Sequence, residues 1–124
     1  MPVSPDFQAT YQQLRTLLQP YAPNFHVKVD NLEGYYLEGD DMPERKDYKL
    51  FFASAQVKKS YVSYYLMPVY MYPELLEGLS PELRKRMQGK SCFNFKKPEP
   101  ALFAELAELT RAGFERFQSE GLVK

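Results

Sequence analysis

The apolar residues of this chain change spacing twice, and that switch restricts the fold more than any other feature. Near the start, Phe7, Tyr11, Leu14 and Leu18 recur at i, i+4, i+7 and i+11, which is one face of a helix. Near the end, Leu102, Phe103, Leu106, Leu109, Gly113, Phe114 and Phe117 form a single stripe, with Glu105, Glu108, Arg111 and Arg116 outside it. Between these stretches the period is two. Phe25, Val27 and Val29 alternate with His26, Lys28 and Asp30, the pattern of a strand buried on one face.

Further strands are predicted at Tyr35 to Leu37, Tyr48 to Val57, Tyr61 to Met67 and Lys90 to Lys96. Gly34 and Lys58-Lys59-Ser60 allow the intervening turns, and Pro68 limits the fourth strand. Ser4-Pro5-Asp6 and Ser80-Pro81-Glu82 carry the same helix-start signal: a capping Ser, a Pro suited to the first turn, and an acid at the positive end. Pro20 and Pro23 close the first helix. Gly89 suits the end of the one begun at Ser80, and a shorter turn runs from Pro73 to Glu77 before Gly78. Helices at both ends with hairpin-like strands between them predict an α+β fold. Its mostly antiparallel sheet has about five strands, with the N- and C-terminal helices packed on one face.

With 124 residues the expectation is one domain over 1–124, large enough for an ordinary core. One Cys excludes an internal disulfide and a Cys-based structural zinc site. Sixteen basic residues balance sixteen acidic ones, which argues against a protein built to grip a nucleic-acid backbone. No apolar run is long enough to span a membrane, and Met1 to Asp6 has neither the basic flank nor the apolar core of a signal peptide, so a cytoplasmic protein is expected.

Three stretches together carry a resemblance: Tyr61-Val62-Ser63-Tyr64-Tyr65-Leu66-Met67-Pro68-Val69-Tyr70, Leu79-Ser80-Pro81-Glu82-Leu83, and Gly89-Lys90-Ser91-Cys92-Phe93-Asn94-Phe95. They resemble the small bacterial YdhG-like family, most strongly from Tyr61 to Lys97, while the terminal helices match in pattern only. The resemblance implies an α+β sandwich similar to frataxin. It also implies iron handling as one function to weigh, since at least one relative is linked to it.

The charges balance in total but not locally. Residues 30–47 hold seven acids against Arg45 and Lys46, and 79–97 hold six bases against Glu82. Runs of this kind are ordinarily solvated surface. A sharper interpretation of the acidic run is a hard or borderline cation such as iron, with Glu38, Asp40 and Asp41 as the carboxylates to test. The spacing fits no EF-hand loop. The first helix offers only Asp6 to the acidic ridge associated with frataxin-like iron binding.

On the basic run, Arg84, Lys85 and Arg86 fan out around a helix and cannot all face one ligand. Lys90 and Lys96 are expected to share a strand face with Cys92 and Asn94, where a carboxylate or phosphate could rest. Cys92 has Lys90 nearby to lower its pKa, but His26 is the chain's one histidine, and a lone Cys is more often a small apolar filler. No Ser/His/Asp signature and no Gly-rich phosphate loop is present. In the Tyr-rich segment Tyr61, Ser63, Tyr65 and Met67 point one way, and Val62, Tyr64 and Leu66 the other. Aromatics on both faces leave a patch to be covered by loops, by a second subunit or by a ligand. The expectation is therefore a non-enzymatic binding module with no resident cofactor. Tyr64, Lys90, Cys92 and Asn94 would hold a small anionic ligand or a protein partner on the uncovered sheet face, with divalent-metal handling as the alternative.

Overall fold

The computed structural model describes residues 5–42 and 45–123, with side chains described at these positions other than 5 and 40–50. Helix α1 (Pro5–Leu18) is followed by a 3-10 segment, Gln19–Asn24, where Pro20 and Pro23 end the α-helix. Strands β1 (His26–Asp30), β2 (Gly34–Met42), β3 (Arg45–Val57) and β4 (Val62–Leu66) come next. A short α2 (Met67–Met71), a 3-10 turn (Pro73–Leu76) and α3 (Pro81–Arg84) lead to β5 (Met87–Gln88) and β6 (Cys92–Phe95). The long α4 (Pro100–Ser119) follows. The fold is α+β, and all strand pairs are antiparallel in the order β1-β2-β3-β4-β6-β5.

Among the described residues there are six strands where about five were expected. The additional one, β5, is two residues long, too short to display an alternating pattern of its own. Its pairing with β6 also moves Lys90. The chain reverses through Gly89, at φ +78°, and Lys90 sits in that turn, one position before Ser91 and outside the strand it was expected to begin. Pro68 does more than stop β4: the strand ends at Leu66, and Pro68 occupies the first turn of α2, where its missing N–H costs nothing.

Helices α1 and α4 cover one face of the sheet. Tyr11, Leu14 and Leu18 of α1, and Leu106 and Phe117 of α4, are fully buried against Leu37, Ala53, Ala55, Val62, Tyr64, Leu66 and Phe93. Between β2 and β3 the register steps from Leu37↔Ala53 to Glu38↔Phe51, so Phe52 is an extra, bulged residue. The bulge directs Phe52 to the helical side, where it stacks on Phe25 (4.5 Å) and meets Phe117 (5.8 Å) and Phe114 (6.1 Å). Helix α2 closes one end of this layer: Pro68 lies so near α4 that Gly113 is the only residue type that fits opposite it without displacement. Ser80 begins α3 by accepting a hydrogen bond from the Leu83 N–H (3.1 Å) while its own N–H and Oγ donate to the Glu105 carboxylate of α4 (2.8 and 2.6 Å).

Candidate functional site

Strand pairing arranges the side chains opposite the helical layer into rows. One row crosses five strands, with Tyr36 opposite Ser54, Ser54 opposite Tyr65, Tyr65 opposite Cys92, and Cys92 opposite Gln88. The next row aligns Gln56, Ser63 and Asn94. The small residues Ser54 and Ser63 are fully buried among their larger neighbours, whereas Tyr36, Gln56, Lys58, Tyr61, Tyr65 and Asn94 are half-buried. The face is thus partly open to solvent, and its polar groups are tied together. Ser63 Oγ donates to Asn94 Oδ1 (2.8 Å), Cys92 Sγ donates to the same oxygen (3.2 Å), and Asn94 Nδ2 donates to Gln88 Oε1 (2.6 Å). Farther along, Lys58 Nζ donates to Gln56 Oε1 (2.8 Å) and Gln56 Nε2 to Ser54 Oγ (3.2 Å).

Of the four residues expected to bind a ligand together, the structure brings Cys92 and Asn94 together on this face and separates the other two. Tyr64 belongs to the opposite side. It pairs with Phe93, is fully buried under α4, and its Oη is 2.6 Å from Thr110 Oγ1. Burial pushes the Tyr64 phenol well above its usual range. The physical reason is parity: Tyr64 and Cys92 sit on adjacent strands one step out of phase, so their side chains leave the sheet on opposite sides. Lys90 is an exposed turn residue. The true neighbours of Cys92 and Asn94 are Ser63, Tyr65 and Gln88. Alternation already groups Ser63 with Tyr65, but nothing local indicates that Gln88 is in a strand.

The thiol of Cys92 is buried, and that burial raises its pKa above the ordinary thiol value. Hydrogen bonding with Ser63 and Tyr65 and the charge of Lys58 pull the other way without overcoming it. Cys92 is therefore a protonated thiol near neutral pH, the opposite of an activated nucleophile. His26 lies on β1, four strand positions from β6, which at strand spacing is about 19 Å. A Cys92/His26 pair is ruled out by topology.

The metal alternative rests on Glu38, Asp40 and Asp41. Glu38 is a half-buried residue of β2 opposite Phe51 and His26; the side chains of Asp40 and Asp41 lie outside the described residues. Among the described residues there is no group of three His, Cys, Asp or Glu placed to hold a metal ion, so Glu38 by itself supplies one ligand and no site.

Beside Asn94 the open face runs into a cleft of about 690 Å³, within the range of small-molecule sites. Tyr61, Gln88 and Asn94 form its junction with the face, and Lys85, Arg86, Lys96 and Lys97 supply positive charge against Glu99. Arg86 meets Glu99 in a two-bond fork (Nε and Nη2, 2.8 Å each), and the guanidinium holds the Glu99 carboxyl below its usual pKa. Helix α3 ends at Arg84, so Lys85 and Arg86 leave the helical fan and both line the cleft, while Arg84 donates to the Leu76 carbonyl (2.9 Å). No helix among the described residues is long and apolar enough to cross a membrane. Set against protein-family models, curated proteins and solved structures, the chain matches none of them.

Proposed function

We propose that the chain is a non-enzymatic binding module whose open sheet face takes a small anionic molecule. The observation that carries this is the polar cluster of Ser63, Cys92, Asn94 and Gln88, which reaches solvent through the half-buried Asn94 and the exposed Gln88 and is continuous with a cleft rich in cations. Hydrogen-bonding groups already fixed to one another lose little freedom when a ligand arrives, and the flanking Tyr61 and Tyr65 offer apolar area around them. The YdhG-like resemblance of 61–97 covers β4, β5 and β6 of this face, but not β2 and β3, and is part of the same proposal. The protonated, buried thiol favours binding over nucleophilic chemistry.

A thermal-shift screen of the intact chain against acidic, neutral and basic metabolites tests the proposal. An acidic ligand present at 100 times its dissociation constant stabilises the fold by about 2.7 kcal/mol. The shift should disappear in Asn94→Ala and persist in Lys90→Gln. A panel that shifts nothing, or a shift untouched by Asn94→Ala, would reject it.

A further inference from the structure

The cleft beside the open face has a charge pattern that selects among anions. Lys85, Lys96 and Lys97 are exposed, and Arg86 is held by Glu99, so the positive charge exceeds the negative by three. Four cations line the cleft and one carboxylate opposes them. A monovalent carboxylate brings one charge and two oxygens in one plane to this set. A tetrahedral dianion presents oxygens in several directions and suits both point-charge ammonium groups and a planar guanidinium.

Arg86 is the ordered member of the group. Glu99 fixes it through Nε and one Nη2 hydrogen, which leaves the Nη1 side of the fork for an incoming oxygen. The lysines that line the cleft come from two segments, Lys85 just after α3 and Lys96 and Lys97 just after β6, and the pairing of β5 with β6 holds those segments together. We propose that this cleft is a phosphate-binding subsite and that the molecule bound on the open face is a phosphate monoester. The second half of that statement rests on the open-face binding proposed above; the first does not.

The test uses amide-resolved NMR of the intact chain with three probes: inorganic phosphate, phenyl phosphate and phenol. Inorganic phosphate should move the amides of Gln88, Asn94, Lys96 and Lys97. Phenyl phosphate should also move Tyr65 and Cys92 and bind at least about fivefold more tightly, because its ring adds contact area on the face. Phenol should move the face residues alone. Lys96→Gln with Lys97→Gln removes two exposed positive charges and should weaken phosphate binding by about tenfold or more, leaving the phenol response unchanged. Phosphate that leaves the cleft amides unmoved, or that binds the double variant as tightly as the parent, overturns the subsite. Cleft binding of phosphate with no gain for phenyl phosphate keeps the subsite and overturns the open-face reading.

Discussion

Tyr64 Oη lies 2.6 Å from Thr110 Oγ1, joining the middle of β4 to the middle of α4 inside the core. Thr110 also donates to the Leu106 carbonyl (2.7 Å), so the Tyr64 phenol is the donor to Thr110 and the chain of hydrogen bonds ends on the helix backbone. This contact anchors the helical layer to the sheet and removes Tyr64 from any role on the open face.

Tyr64→Phe keeps the ring and deletes the hydroxyl. Thr110 retains Leu106 as a partner, so the expected loss is about 1 kcal/mol by urea denaturation, without a change in ligand response. An abolished ligand shift in a folded Tyr64→Phe protein would contradict the placement of Tyr64 on the helical side.

A methyl group at position 113 would sit 2.8 Å from Pro68 Cβ and 2.9 Å from its Cγ. Helix propensity alone favours Ala over Gly by about 1 kcal/mol, while overpacking of a core contact costs about 1–3 kcal/mol. Pro68 is buried and its ring cannot rotate away, so the steric cost prevails. Gly113→Ala should lower the midpoint of denaturation. Adding Pro68→Ala should return part of the loss, and strict additivity of the two changes would argue against the contact.

Burial raises the Cys92 thiol pKa in the folded state, so between about pH 8.5, where an unfolded thiol titrates, and the higher folded value the native state holds the extra proton. Stability from this group is complete below that window and declines as pH rises through it. The parent should lose stability relative to Cys92→Ala from about pH 8.5 to 10, before tyrosines contribute. Alkylation should be slow at pH 7 and accelerate only in alkali; rapid labelling at neutral pH would show a different thiol environment.

Glu99 behaves in the opposite sense. Arg86 lowers its folded pKa, so its contribution is present above the unfolded carboxyl value of about 4.3 and fades as pH falls through the folded one. The pair is partly solvated, so Glu99→Gln should cost less than about 1 kcal/mol near neutral pH and nothing in strong acid. The same change removes the cleft's carboxylate and should tighten phosphate binding several-fold in calorimetry. Weaker binding would mean that the fixed orientation of Arg86 matters more than the added charge.

Local patterns sufficed for the terminal helices and β4 but not for the burial of β1, where Val27 is exposed and Val29 half-buried. The helical stripe of Tyr11, Leu14 and Leu18, the stripe ending at Phe117, and the alternation through β4 each depend on residues a few positions apart, and each element formed where its spacing placed it. The division of β4 into a Val62-Tyr64-Leu66 side and a Ser63-Tyr65 side is of the same kind. Which side lies under the helices, and which residues of β6 stand beside it, depends on register. Register joins positions thirty residues apart and is settled by burying Phe93 and Phe95 under α4, which turns Cys92 and Asn94 outward, away from Tyr64. The cation-lined cleft has the same origin: Tyr61, Lys85, Arg86 and Lys97 share no local pattern and meet because β6 inserts between β4 and a two-residue β5. Short-range spacing determines which face a side chain takes within its own strand, but only the long-range pairing that closes the core decides what stands next to it.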